Sequence, residues 1–137
     1  MSAAVIVSEN GNGRYQQTVI AGQHQFLADE PVSIGGSDAG PAPFDFIMAG
    51  LGACTSMTLR MYAERKNLPM TGIQIALTHE KIDLDGERRD LIKRKISLHG
   101  ELTPETRQRL LEIAEKCPVH KTLSQSCIID SALETAE

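Results

Sequence analysis

The chain has 137 residues, 23% of them charged, and a formal net charge of −4. That length suits one domain, residues 1–137, large enough to bury a core of its own. The acidic balance excludes the basic face that nucleic acid requires, and three cysteines, an odd number, do not make the disulfide framework of a small secreted protein.

In chain order, the first forty residues read as β. Ala3–Val7 is a short β-branched run, and the Asn/Gly cluster that follows it is turn chemistry. Arg14–Ile20 and His24–Ala28 are separated by a tight Ala21-Gly22-Gln23 break, which predicts a three-stranded meander. The stretch from Asp29 to Ala42, rich in Gly and Pro, reads as a loop. Met1 to Val7 lacks the basic residues of a signal peptide. The expected location is therefore cytoplasmic, with no membrane partner.

The chain is organised around the next stretch, Gly40 to Lys66. Apolar positions at Ile47, Leu51, Cys54, Met57 or Thr58, and Met61 recur at helical spacing and predict one buried stripe. Pro43 suits the first turn, and Asn67 and Pro69 can end the helix. No charge lies between Phe46 and Leu59, yet the run is too short to cross a membrane. Glycine inside a helix costs about 1 kcal/mol against alanine, so Gly50 and Gly52 imply a close neighbour. Such a helix needs more cover than one sheet gives. Either two copies meet in a homodimer, or the second helix and the sheet of one chain cover both sides.

Beyond it, Gly72–Lys81 and Asp90–Leu98 alternate as two strands around a turn at Asp83–Gly86. In the second strand Ile92, Arg94, Ile96 and Leu98 share one face, and Lys93 and Lys95 take the other. Thr103 caps a second helix with Pro104 at its first position, a stripe of Leu110, Ile113 or Ala114 and Cys117, and a stop at Pro118. A helical turn at Val119–Leu123 and a final strand at Ile128–Leu133 complete the order β-β-β-α-β-β-α-(α)-β, which is α+β.

Few residues offer chemistry. By spacing alone Cys54 reads as a small core hydrophobe. Cys117 precedes Pro118 as the N-cap of the next turn, where backbone N–H groups favour a thiolate, and His120 lies three residues on as a hydrogen-bond partner or proton carrier. Cys127 reads as packing. The remaining histidines lack ligand spacing, so no metal is expected.

The run from Gly35 to Pro43 leading into AGLGACTSMTLRMYA, together with CPVHKTL at Cys117–Leu123, resembles the OsmC/Ohr family, most closely its general OsmC-like, YhfA-type branch. The likeness extends over essentially the whole chain. It implies an intertwined homodimer with two long central helices wrapped by two sheets, and a thiol-dependent peroxidase acting on organic hydroperoxides, with no cofactor beyond an external dithiol reductant. Cys54 matches the peroxidatic cysteine and Cys117 the resolving one. Met48, Met57 and Met61, with Phe44 and His120, are the expected pocket residues. The thiolate needs a cation. Arg60 falls some 240° round the helix from Cys54. The family uses an arginine after a glycine in the N-terminal hairpin, which Gly13-Arg14 matches. Where the peroxidase branches carry a glutamate that orients this arginine, the present chain has Phe44, followed by Asp45. That departure raises a second reading of another class, a non-catalytic binder of a small apolar ligand at the dimer interface.

Overall fold

A computed structural model describes residues 3–134; residues 1–2 and 135–137 of the expected 1–137 domain lie outside the described residues. The elements are β1 (Val5–Glu9), β2 (Gln17–Ala21), β3 (His24–Ala28), α1 (Pro43–Arg65), β4 (Met70–Leu84), β5 (Glu87–Gly100), α2 (Pro104–Ala114) and α3 (Pro118–Ser124), with one 3-10 turn at Val32–Ile34. They form a mixed α+β fold with two antiparallel sheets, in the predicted order as far as α3. None of these helices is long and apolar enough to cross a membrane. The described residues group into two compact units. One holds the chain up to Ala49 together with His79–Leu91; the other holds Gly50–Thr78 together with the chain from Ile92 onward.

In the first unit β1, β2 and β3 pair in sequence order, with Val5 opposite Ala21 and Ala21 opposite His24. The loop after β3 is organised by Asp29, whose carboxylate is 2% exposed. It accepts N–H bonds from Glu30 at 2.8 Å, Ala39 at 3.1 Å and Ser37 at 3.2 Å. One carboxylate thereby satisfies three loop donors that no strand could. Phe26 of β3 stacks on Phe46 of α1 at 5.6 Å, tying the sheet to the helix start.

In the second unit the core is Leu59, Ala63, Met70, Leu110, Ile113 and Ala114. Thr103 accepts the Thr106 N–H at 3.1 Å and Pro104 opens α2, as its sequence predicts. The two long strands β4 and β5 are joined by a two-residue turn with Asp85 and Gly86 both at positive φ. This is the hairpin geometry that Asp-Gly favours.

Two expectations are corrected. The buried face of α1 is Leu51, Gly52, Thr55, Leu59 and Ala63, not the stripe through Cys54 and Met61. Of the expected stripe Leu51 alone is buried, whereas Met57 and Met61 are 60% and 64% exposed. The helix is apolar on two faces, so periodicity does not choose between them. Small residues decide: a Cβ on Gly52 would lie 2.8 Å from the Leu77 side chain, so the bare backbone lets β4 approach. The second correction concerns Ile128–Leu133, which forms no strand. Ile128, Ile129 and Leu133 are 97%, 83% and 100% exposed. A β-branched run becomes a strand only where an edge takes its hydrogen bonds, and this run has none.

Candidate functional site

Cys54 and Cys117 come together in the second unit, each close enough to shift the acidity of the other. Cys54 is half-buried on α1, and Cys117 is fully buried at the start of α3. Pro118 cannot continue α2, so the chain turns extended at Cys117 (φ −58°, ψ 131°) and begins a new helix. The Cys117 Sγ then accepts the His120 N–H at 3.5 Å, the cap that the sequence predicts.

The two thiols have opposite acidities. Burial alone would push Cys54 up. The Cys117 thiol, the Val119 N–H, the Thr58 side chain and the Arg94 charge together outweigh it, and the Cys54 pKa lies below the ordinary thiol value. Burial and the bond to Cys54 push Cys117 up, beyond what the His120 and Val119 N–H groups relieve. The cap therefore does not make Cys117 the thiolate, contrary to the expectation from its position. Of the two thiols, Cys54 is the more acidic and Cys117 the less.

Beside Cys54 lies an apolar groove of about 640 Å³. Gly50, Ala53, Met57, Thr58, Met61 and Tyr62 of α1 line it with Ile113 and Pro118, and Arg65 and Lys116 add two cations.

Arg94 is a residue of this site that sequence reasoning did not single out. It occupies the apolar register of β5, and its side chain is 11% exposed. Nη1 donates to Thr55 Oγ1 at 3.0 Å and Nη2 to His120 Nδ1 at 3.3 Å, with Glu115 at 3.6 Å. Glu115 also meets His120 Nε2 at 2.9 Å. The available signal was a charge in the alternation Ile92, Arg94, Ile96, Leu98.

The expected site residues divide. Met57 and Met61 line the groove with Cys54. His120 stands beside Cys117 but turns its ring to Arg94 and Glu115. Arg60 is turned to the Met70 carbonyl at 2.9 Å. Phe44, Met48 and Arg14 belong to the first unit. Phe44 stacks on His79 with centroids 4.3 Å apart, and His79 Nε2 meets Asp90 at 2.8 Å. Met48 is half-buried. The Arg14 guanidinium lies over the Tyr15 ring at 5.0 Å. Asp45 accepts the Ala42 N–H at 3.0 Å and so serves the start of α1. Among the described residues no three His, Cys, Asp or Glu side chains are grouped to hold a metal ion.

A family model described as OsmC-like protein matches residues 35–132. Among solved structures, an OsmC-like protein from Mycoplasma pneumoniae is similar with a TM-score of 0.76 and 20% identity, over 90% of this chain and 88% of that one. The organic hydroperoxide resistance protein OhrB of Bacillus subtilis is similar with a TM-score of 0.61 and 22% identity, over 88% and 89%. An organic hydroperoxide resistance protein OsmC from Legionella pneumophila is similar with a TM-score of 0.66 and 16% identity, over 88% and 89%. At these identities the likeness is one of fold. No curated protein matches the sequence.

Proposed function

We propose, from the premise that this chain belongs to the OsmC-like protein family, that it is a thiol peroxidase reducing organic hydroperoxides through Cys54 and Cys117. The observation that carries this reading is the pairing of Cys54 with Cys117, two thiols shifted in opposite directions, beside an apolar groove. The Cys54 thiolate attacks the terminal oxygen of R–O–O–H. The O–O bond breaks, the sulfur is oxidised to Cys54–SOH, and the alkoxide takes up a proton and leaves as the alcohol. Cys117 gives up its proton, its sulfur attacks Cys54–SOH, the S–S bond forms, and water leaves. An external dithiol reduces the disulfide through a mixed disulfide and is itself oxidised. A reducing compartment such as the cytoplasm supplies that reductant.

The groove favours substrates with an apolar tail over hydrogen peroxide, because Met57 and Met61 adapt to irregular apolar shapes. We place the reaction in a homodimer; the exposed Met57 and Met61 and the unpaired Ile128–Leu133 run support this. Arg14 is the cation that such a dimer would bring to the site in the family's manner.

The test uses cumene hydroperoxide. Cys54→Ser should abolish peroxide consumption, since a serine hydroxyl is a far poorer nucleophile at neutral pH. Cys117→Ser should leave the first attack intact, so that dimedone traps the sulfenic acid at Cys54. Mass spectrometry of the treated wild-type protein should find a Cys54–Cys117 peptide pair. A disulfide through Cys127, or all thiols free after one equivalent, overturns the reading; free thiols with peroxide still bound would indicate the binder instead.

A further inference from the structure

We propose that Arg94 is a positioning residue of the thiol pair: pinned between Thr55 on α1 and His120 on α3, its guanidinium holds the Cys54 sulfur as the nucleophilic anion. The proposal rests on Cys54 being the attacking thiol, but it can be tested without any turnover.

A guanidinium in the apolar register of a strand is costly unless its charge is answered. The bonds that fix Arg94 go to neutral groups. Thr55 spends its own proton on the Leu51 carbonyl at 2.6 Å, so its oxygen is left to accept from Arg94 at 3.0 Å. His120 Nδ1 also accepts from Arg94, which leaves that nitrogen without a proton. The other ring nitrogen, Nε2, faces Glu115 at 2.9 Å. The one carboxylate within 4 Å among the described residues is Glu115. It stands at 3.6 Å, is 56% exposed, and is shared with His120. Much of the Arg94 charge is therefore unanswered by carboxylate.

The two anchors say where that charge is directed. Thr55 is the residue after Cys54, and His120 holds the Cys117 Sγ through its N–H. The guanidinium is thus fixed to the chain neighbours of both sulfurs, in a buried place where screening by salt is weak. The other groups acting on Cys54 are the Cys117 thiol and the Val119 N–H from α3 and the Thr58 side chain from its own helix, and the same groove is lined further on by Arg65 and Lys116. Arg65 and Lys116 are exposed, so solvent screens them more than it screens Arg94.

The experiment is the pH dependence of Cys54 alkylation by iodoacetamide in the reduced protein, read on the Cys54 peptide by mass spectrometry. Arg94→Gln should raise the midpoint by about one pH unit, and Arg94→Lys should restore part of it. Glu115→Gln should move the midpoint the other way, downward, because the carboxylate that answers Arg94 is gone. A packing role would not produce that opposite sign. Lys95→Gln, on the exposed face of the same strand, removes one positive charge and should leave the midpoint in place. A wild-type midpoint in Arg94→Gln overturns the proposal, and so does an equal shift in Lys95→Gln. Should Arg94→Gln fail to fold, Glu115→Gln decides: a downward shift supports the proposal, and an unchanged or raised midpoint overturns it. Normal peroxide turnover with an unshifted Arg94→Gln profile removes the Arg94 role alone; an inert wild type with a shifted profile removes the peroxidase reading alone.

Discussion

Cys54 and Cys117 carry the same side chain, and their surroundings shift their acidities in opposite directions. Each is penalised by burial, but for Cys54 the Cys117 thiol, the Val119 N–H, Thr58 and the field of Arg94 outweigh that penalty, whereas for Cys117 the proximity of Cys54 adds to it. The sequence made both cysteines visible through the motifs around them. It did not reveal their acidities, because those depend on groups contributed by β5 and α3 that no local window contains. Arg94 was read only as a member of an alternation; period reports which face a residue takes, not what charge it meets there. Asp29 belongs to the same class of hidden residue, having looked like ordinary loop polarity. The Ala39 N–H leads the causes that hold its carboxyl below the usual carboxylate value, against the penalty of burial. A group depressed in the folded state adds stability that is present above its unfolded pKa and is lost as pH falls through the folded one. Asp29→Asn should therefore lower Tm by several degrees at neutral pH and by much less at a pH low enough to protonate wild-type Asp29. Equal losses at both pH values would show that the charge contributes nothing and that the side chain's shape alone matters.

At the scale of elements, most of the chain was legible because local rules agreed. Thr103-Pro104 set the start of α2, Asp85-Gly86 set the hairpin, and Cys117-Pro118 set the break before α3. Two elements escaped for reasons that lie outside their own sequence. In α1 the apolar pattern fits two faces, and the buried one was selected by a close approach at Gly52. In the tail, Ile128–Leu133 has strand propensity but no edge to pair with. The Gly52 contact gives a direct prediction. Its missing Cβ faces the far end of the Leu77 side chain at 2.8 Å, which can swing aside for one methyl group but not for a branched side chain. Gly52→Ala should be near neutral, since relief of the helical glycine, worth about 1 kcal/mol, offsets the local shift. Gly52→Leu should destabilise by about 1–3 kcal/mol through overpacking. Urea unfolding of the two variants checks both, and comparable losses would mean that β4 cannot adjust at all.

At the scale of the whole molecule, the proposed homodimer can be set against the apolar residues that the single chain leaves exposed. Met57 and Met61 line a groove that the single chain leaves open, and the Ile128–Leu133 run stands in solvent. Exposed apolar surface of this kind is a mark of interaction sites where it forms a contiguous patch, as Met57 and Met61 do in the groove. The face that sequence periodicity chose on α1 is thus an apolar face that stays largely open at Met57 and Met61 among the described residues. Gly50 distinguishes a partner from mere exposure. No heavy atom lies within 4 Å of the Cβ it lacks, so a side chain there has room inside one chain and should even favour the helix. If two α1 helices meet through this small-residue face, the same side chain has no room. Sedimentation at low micromolar concentration should then give a species of twice the 14.9 kDa chain for the wild type. Gly50→Leu should give the single chain, with its far-UV circular dichroism largely kept. A wild type sedimenting cleanly at 14.9 kDa removes the dimer. A Gly50→Leu variant that stays dimeric would move the interface off this face, leaving the groove beside Cys54 open to solvent and to substrate from that side.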